Sequence, residues 1–218
     1  MMNLSERSIQ VLKNFSTINP SIQFREGNVL KTVSPNKTMM AKANLDSSIE
    51  RTFAIYDLSR FLGVVSLFED PEFELQENQL NINSTGRSVS YTYADPTTIV
   101  VPPENDLAIG ECEVSFSLSQ SQYIDIMKAL GVMSFPELVV AGENGNLVIR
   151  ATDTKNPSAD KYDIVVGSTD TEFQAVFKAE NIKLMPDDYE VSISSRGIAN
   201  FKSEDVEYWI SIEAHSQF

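Results

Sequence analysis

Apolar residues recur at helical spacing over residues 5–15, which predicts an amphipathic helix there. Ser8, Ile9, Val11, Leu12 and Phe15 fall on one side, and Glu6, Arg7, Gln10, Lys13 and Asn14 on the other. Ser5 is placed to cap its start, and Pro20 follows where the helix should already have ended. The pattern then changes to alternation. "SIQFREGNVLKTV" and "TMMAKANL" read as strands, with turns at Glu26-Gly27-Asn28 and Ser34-Pro35-Asn36. "TFAIYDLSRFLGVVSLF" runs a short extended stretch into a second helix, capped by Asp57 and striped by Leu58, Phe61, Leu62, Val65 and Phe68. "FELQENQLNINSTGRSVSYTYA" supplies strands divided by polar turns.

The second half repeats this order. "SLSQSQYIDIMKALG" predicts a helix with Tyr123, Ile126, Met127 and Leu130 inward and Gly131 as its stop. "ELVVAGENGNLVIRAT" is a hairpin whose Asn144-Gly145 supplies the positive φ values of a tight turn. "KYDIVVG" is another strand. "TEFQAVFKAENIKLMPDD" is again strand into short helix, ended by Pro186, and "YEVSISSRGIANFKSEDVEYWISIEA" closes with strands around an Arg196-Gly197 turn. Matching elements lie about 115–120 residues apart. The expectation is an α+β chain with two similar modules, 1–93 and 111–218, each with two helices packed on antiparallel β-sheet. "ADPTTIVVPPENDLAIG" (94–110) is a Pro-bearing connector between them. A chance recurrence of helices and hairpins is the competing account of the repeat.

Charge and composition narrow the function. Lys and Arg number 17 against 31 Asp and Glu, a net charge of −14, which favours solubility and opposes indiscriminate binding to nucleic acid or anionic membranes. No run of about 18 apolar residues could span a bilayer, and "MMNLSERSIQ" carries no leader pattern. A single cysteine, Cys112, excludes an internal disulfide framework and fits a reducing compartment. One histidine, His215, is poorly placed to serve as a catalytic base, and one Cys with one His cannot make a zinc site. Nucleotide-binding glycine loops are missing. "FEDPEFELQEN" (68–78) reads as a solvated turn and strand edge rather than paired catalytic acids. The expectation is a non-enzyme with no cofactor and no metal.

Four segments then narrow the class. "VLKNFSTIN" (11–19), "AIYDLSRFLGVVSL" (54–67), "ADPTTIVVP" (94–102) and "WISIEAHSQF" (209–218) closely resemble the sliding clamps of T-even-type bacteriophages. Those are the processivity factors of the phage replicative DNA polymerase. The matches run from the first helix to the last strand and are specific as an ordered set. The turns and "DYEVSISSRGIANFKSEDVEYW" depart from the family pattern. The resemblance implies that three chains close into a ring of six clamp modules around duplex DNA, helices inside and sheets outside. It further implies a clamp loader that opens the ring, tethering of the polymerase, and work in the cytoplasm of the infected bacterial host without membrane contact.

A closed ring reconciles the negative charge with DNA. Enclosure replaces affinity, and strong phosphate contacts would add friction. Acids on an outer sheet are largely screened from the hole over a Debye length of roughly 8 Å. The DNA-facing candidates are therefore sparse cations and polar groups on outward helix faces. They are Arg7, Gln10, Lys13 and Asn14 on the first helix, Arg60 on the second, Lys128 on the third, and Lys178 and Lys183 on the fourth. Asp125, three residues before Lys128, is close enough to mute it. Ordinary solvent-facing charge accounts for each of these residues taken singly. The resemblance implies joints between chains made by "SVSYTYA" (88–94) and "KYDIVVG" (161–167), with Ser90, Tyr91, Tyr93, Tyr162, Ile164 and Val166 as joint residues. It implies a pocket for partner tails at Ile99, Val100, Val101 and Pro102, with Ile212 and Ala214. Anchoring of the connector to its own core is the competing reading. Two other classes stand against the clamp: an acidic β-rich phage structural or assembly protein, and a hydrolase using two carboxylates.

Overall fold

The structure, a computed structural model, describes residues 4–218. The chain divides into two compact units, Met1–Asn105 and Asp106–Phe218.

The first unit opens with helix α1 (Glu6–Ile18). The Ser5 hydroxyl accepts from the Ser8 amide at 3.0 Å, and the Ser8 hydroxyl donates to Asp46 at 3.0 Å. The Ser5 and Ser8 hydroxyls together hold the Asp46 carboxyl below the usual carboxylate range. The buried stripe is Ser8, Val11, Leu12, Phe15 and Ile18; Ile9 is only half-buried. Burying a side chain such as Phe15 or Leu12 contributes about 1.5–3 kcal/mol. The helix outruns its expected end by one turn, since Pro20 does not act until Asn19 has turned extended. Strands β1 (Ile22–Phe24), β2 (Gly27–Val33), β3 (Met39–Ile49) and β4 (Phe53–Ile55) follow. β2 and β3 form an antiparallel hairpin, and β1 pairs with β4. Helix α2 (Leu58–Val65) starts at Asp57, whose carboxylate accepts from the Arg60 amide at 2.8 Å. It buries Leu58, Phe61, Leu62 and Val65, and Phe68 lies beyond its end. Helix α1 packs against α2 and β3. Strands β5 (Glu72–Leu75), β6 (Gln79–Ser84) and β7 (Arg87–Thr92) form a three-stranded sheet in that order, so β5 and β7 are edges. Asp95 caps a 3₁₀ turn at Pro96–Thr98.

The second unit begins with β8 (Val114–Leu118) and helix α3 (Gln120–Met133). Ser119 and Gln122 make a reciprocal capping box. Gly131 does not stop α3; two more residues stay helical, and Ser134 takes the left-handed cap position at φ 53°. Ala129 joins Tyr123, Ile126 and Leu130 in the buried stripe, while Met127 is half-buried. Strands β9 (Glu137–Glu143), β10 (Asn146–Thr152), β11 (Tyr162–Ser168) and β12 (Phe173–Lys178) make a sheet ordered β11-β10-β9-β12. Asn144 and Gly145 have φ of 52° and 77°, as the turn requires. β13 (Tyr189–Ser194), β14 (Ile198–Lys202) and β15 (Val206–Ser211) complete the unit, with β8 paired to β13.

The repeat has a measurable offset. From the start of α1 to that of α3 is 120 − 6 = 114 positions. From α2 to its counterpart is 179 − 58 = 121, but that counterpart is only a 3₁₀ turn, Ala179–Asn181. A full second helix does not form there because tyrosines satisfy the following backbone instead. Tyr123 donates to the Leu184 carbonyl at 2.9 Å, Tyr189 donates to the Met185 carbonyl, and the Met185 amide donates to the Tyr208 hydroxyl at 3.2 Å. All three phenols are buried, and burial pushes the Tyr123 hydroxyl pKa well above its ordinary value. Tyr123→Phe should destabilise the chain by about 1–3 kcal/mol, the cost of an unsatisfied buried carbonyl. Urea unfolding followed by far-ultraviolet dichroism measures this, and an unchanged midpoint would contradict it.

Candidate nucleic-acid interface and edge surfaces

The outward face of α1 is as the periodicity placed it. Gln10 and Lys13 are exposed, and Arg7 and Asn14 are half-buried opposite the Val11/Leu12/Phe15 stripe. Arg60 is exposed on α2. Lys128 is exposed on α3 and lies 3.7 Å from Asp125, so part of its charge is neutralised locally. The last two cations occupy no helix. Lys178 ends β12 and lies 3.9 Å from Glu213, and the half-buried Lys183 follows the 3₁₀ turn. The placement of these two on a fourth helix is thus corrected.

Two edge strands stand out. On β7, Ser88, Ser90 and Thr92 are exposed, while Val89 and Tyr91 turn inward. The Tyr91 hydroxyl donates to the Asp57 carbonyl at 3.2 Å, and its ring meets Phe61 edge-on at 5.4 Å. Burial, then the Asp57 charge, raises the Tyr91 pKa. Tyr93, just past β7, packs its ring 5.0 Å from Phe53. Of the three joint residues expected here, Tyr91 and Tyr93 also pack within their own unit, and Ser90 lies on the exposed face. On β11, Tyr162 is exposed and Ile164 and Val166 are half-buried, while Val165 is 58% exposed.

Arg150 fastens β11. It forks onto Asp163 through Nε and Nη2, both at 2.8 Å, and reaches Glu143 through Nη1 at 3.1 Å. The two carboxylates stabilise the guanidinium charge and raise its pKa, with Asp163 contributing most. An edge strand held this way keeps its outer backbone in a fixed line.

The connector is gripped by its carbonyls. Asn19 donates to Val100 at 3.2 Å, Arg25 to Pro102 at 3.5 Å, and Lys31 to Glu104 at 2.7 Å. Alternate carbonyls are thus held as a neighbouring strand would hold them, but by side chains. Pro102 is buried and Ile99 half-buried, whereas Val100 and Val101 are 37% and 39% exposed. Hydrogen bonds from the Thr97 amide and hydroxyl, at 2.9 and 2.8 Å, hold the Asp95 carboxyl below its ordinary range. Ile99 to Pro102 belong to the first unit, and Ile212 (half-buried) and Ala214 (exposed) to the second.

Comparison with known proteins decides the family. A model of the DNA polymerase processivity factor matches residues 5–101, and one of the gp45 sliding clamp C-terminal part matches residues 116–214. The sliding clamp of Vibrio phage KVP40 is 30% identical over 98% of this chain and 100% of its own length. The chain belongs to the phage sliding clamp family. The sliding clamp of Enterobacteria phage T4 is 28% identical over 99% of this chain and 98% of that protein. The fold extends further: an A. fulgidus PCNA solved with the C-terminal region of FEN-1 superposes with a TM-score of 0.68 at 12% identity, covering 95% of each chain. A phage structural or assembly role is not favoured by these relatives.

Within this clamp fold, sequence reasoning missed the last turn of α3, where Val132 is 86% exposed and Met133 43%. Their exposure follows from the overrun past Gly131, which the glycine concealed. His215 also has unforeseen partners. Its Nε2 is 3.2 Å from the Thr154 hydroxyl and 3.6 Å from the buried Glu137, which accepts from the Thr154 amide and hydroxyl at 2.8 and 2.6 Å. Both contacts use Nε2, whereas a catalytic relay needs its acid and its nucleophile on opposite ring nitrogens. The arrangement ties a segment in place rather than moving a proton.

Proposed function

We propose that three copies of this clamp close into a ring around duplex DNA and tether the phage DNA polymerase, without catalysing a reaction. The observation that carries the reading is the pair of edge strands. β7 lies at one edge of a sheet in the first unit and β11 at one edge of a sheet in the second, and both show exposed outer positions. Joining β7 of one chain to β11 of the next satisfies both rows of backbone groups, which would otherwise invite aggregation. In such a ring α1, α2 and α3 face the DNA with Arg7, Gln10, Lys13, Asn14, Arg60 and Lys128, whereas Lys178 and Lys183 stand outside the helices. A clamp loader opens one joint, and the work takes place in the cytoplasm of the infected host. Sedimentation equilibrium tests this reading. A mass three times the 24.3 kDa of one chain is expected at micromolar concentration, and a single-chain mass would overturn it.

Partner tails dock on the connector. The Asn19, Arg25 and Lys31 contacts take up its carbonyls, so the exposed Val100 and Val101 side chains are left to form an apolar rail, flanked by Ile99 and Pro102 of the same unit. Val101→Asp should weaken the binding of a polymerase tail peptide at least tenfold, because the docked peptide would bury an unpaired carboxylate. Fluorescence anisotropy reads this directly; equal affinity for both proteins would remove the site.

A further inference from the structure

The second unit's sheet has one edge at β11 and the other at β12, and β12 is covered by the chain's own residues 213–218. The outward backbone groups of β12 include those of Gln174 and Val176. Gln174 exchanges two hydrogen bonds with Gln217, both at 2.8 Å. An antiparallel strand continuing from that pair would set residue 215 opposite Val176. It does not: the Ser216 amide bonds back to the Glu213 carbonyl at 3.0 Å, closing a tight turn. The Val176 amide is then satisfied by the Ser216 hydroxyl at 3.0 Å, and its carbonyl by the Glu213 amide at 2.7 Å. The segment therefore grips β12 through one in-register residue pair. Beyond that pair the Glu213 amide adds one backbone bond, and side chains add further holds. His215 meets Glu137 and Thr154, Glu213 lies 3.9 Å from Lys178, and Phe218 stacks on Phe173 with centroids 5.9 Å apart. Ala214, His215, Gln217 and Phe218 are all exposed, and a depression of about 330 Å³ opens between Phe218, Phe173, Arg150 and Glu172.

We propose that residues 213–218 are an exchangeable strap on the β12 edge, displaced by an extended peptide that adds there as a regular strand. Regular pairing keeps the backbone bonds at Gln174 and the Val176 carbonyl, replaces the Ser216 hydroxyl at the Val176 amide with a backbone carbonyl, and removes the turn that interrupts the strap. The displaced groups define the peptide. Lys178, released from Glu213, takes an acidic residue, and Phe173, released from Phe218, takes an aromatic ring. In an antiparallel strand these two positions are five residues apart, acid first, which is also the spacing of Glu213 and Phe218 in the strap. The proposal rests on the β12 edge, which lies within the second unit.

Amide hydrogen exchange on the whole chain tests the first half. The Gln174 and Val176 amides should exchange at least a hundredfold faster than those of Ala175 and Phe177, which face β9. Comparable slow exchange at all four would show the strap to be fixed and overturn the proposal. The second half uses a fluorescent synthetic copy of residues 212–218 as the probe. It should bind Ser216→Ala/Phe218→Ala at least tenfold more tightly than the unaltered chain, and should slow Gln174 and Val176 exchange when bound. Equal or undetectable binding to both would overturn it, whatever Val101→Asp does to polymerase tails.

Discussion

Ile164→Glu should leave the clamp as single chains at micromolar concentration and abolish its support of processive synthesis. Ile164 lies in mid-β11, opposite Ile149 of β10, and is half-buried within its own unit. In the proposed joint its remaining surface is covered by β7 of the next chain. A carboxylate there is desolvated without a cation to receive it, because Arg150 is already committed to Asp163 and Glu143. A penalty of about 3 kcal/mol, modest for an unpaired buried charge, weakens each joint roughly a hundredfold. Three joints must hold at once, so the assembly fails well before any one contact is lost completely. Val165→Asp, on the exposed face of the same strand, separates joint from fold: it should lower association while leaving the thermal midpoint of the isolated chain unchanged. A trimer persisting in sedimentation for both variants would refute β11 as a joint.

Arg7→Glu with Lys13→Glu should reduce loader-dependent processive extension at least tenfold while the trimer survives. The pair sits on the polar face of α1, and the substitutions reverse two charges in a chain that already carries −14. Enclosure tolerates weak contacts but not a repulsive lining, since the ring must admit a polyanion during loading. The salt response gives the sign. Repulsion across the hole grows as screening falls, so the defect should deepen at low ionic strength, where the Debye length rises to about 30 Å at 0.01 M. Unchanged extension across that range would rule out the α1 assignment.

The legible parts of the fold were those set by local rules. Ser5 and Asp57 cap helices because a short oxygen-bearing side chain before an apolar stripe satisfies free amides. Asn144-Gly145 turns a hairpin because few other pairs accept two positive φ values. The illegible parts depend on partners remote in sequence. The segment after β12 is a 3₁₀ turn because Tyr123 and Tyr208 reach Leu184 and Met185 from 61 and 23 positions away. Asn19 meets Val100 from 81 positions away, so nothing in "TIVVPPEND" announces that its carbonyls are held. The resemblance implies Tyr91 as a joint residue, but it does not announce that the ring also packs on Phe61 and the hydroxyl bonds the Asp57 carbonyl, because those partners lie about 30 positions away in sequence. The strap over β12 escaped notice because "EAHSQF" has no strand alternation, a direct result of its turn.

The central claim is that the clamp remains on DNA because it surrounds it. The direct measurement loads the protein with its loader onto closed circular DNA, removes the loader, and follows bound clamp before and after one double-strand cut. Retention for many minutes on the circle and loss within seconds of cutting is the predicted result. Equal loss from circle and cut DNA, or equal retention on both, would mean that contacts rather than enclosure hold it, and would contradict the account.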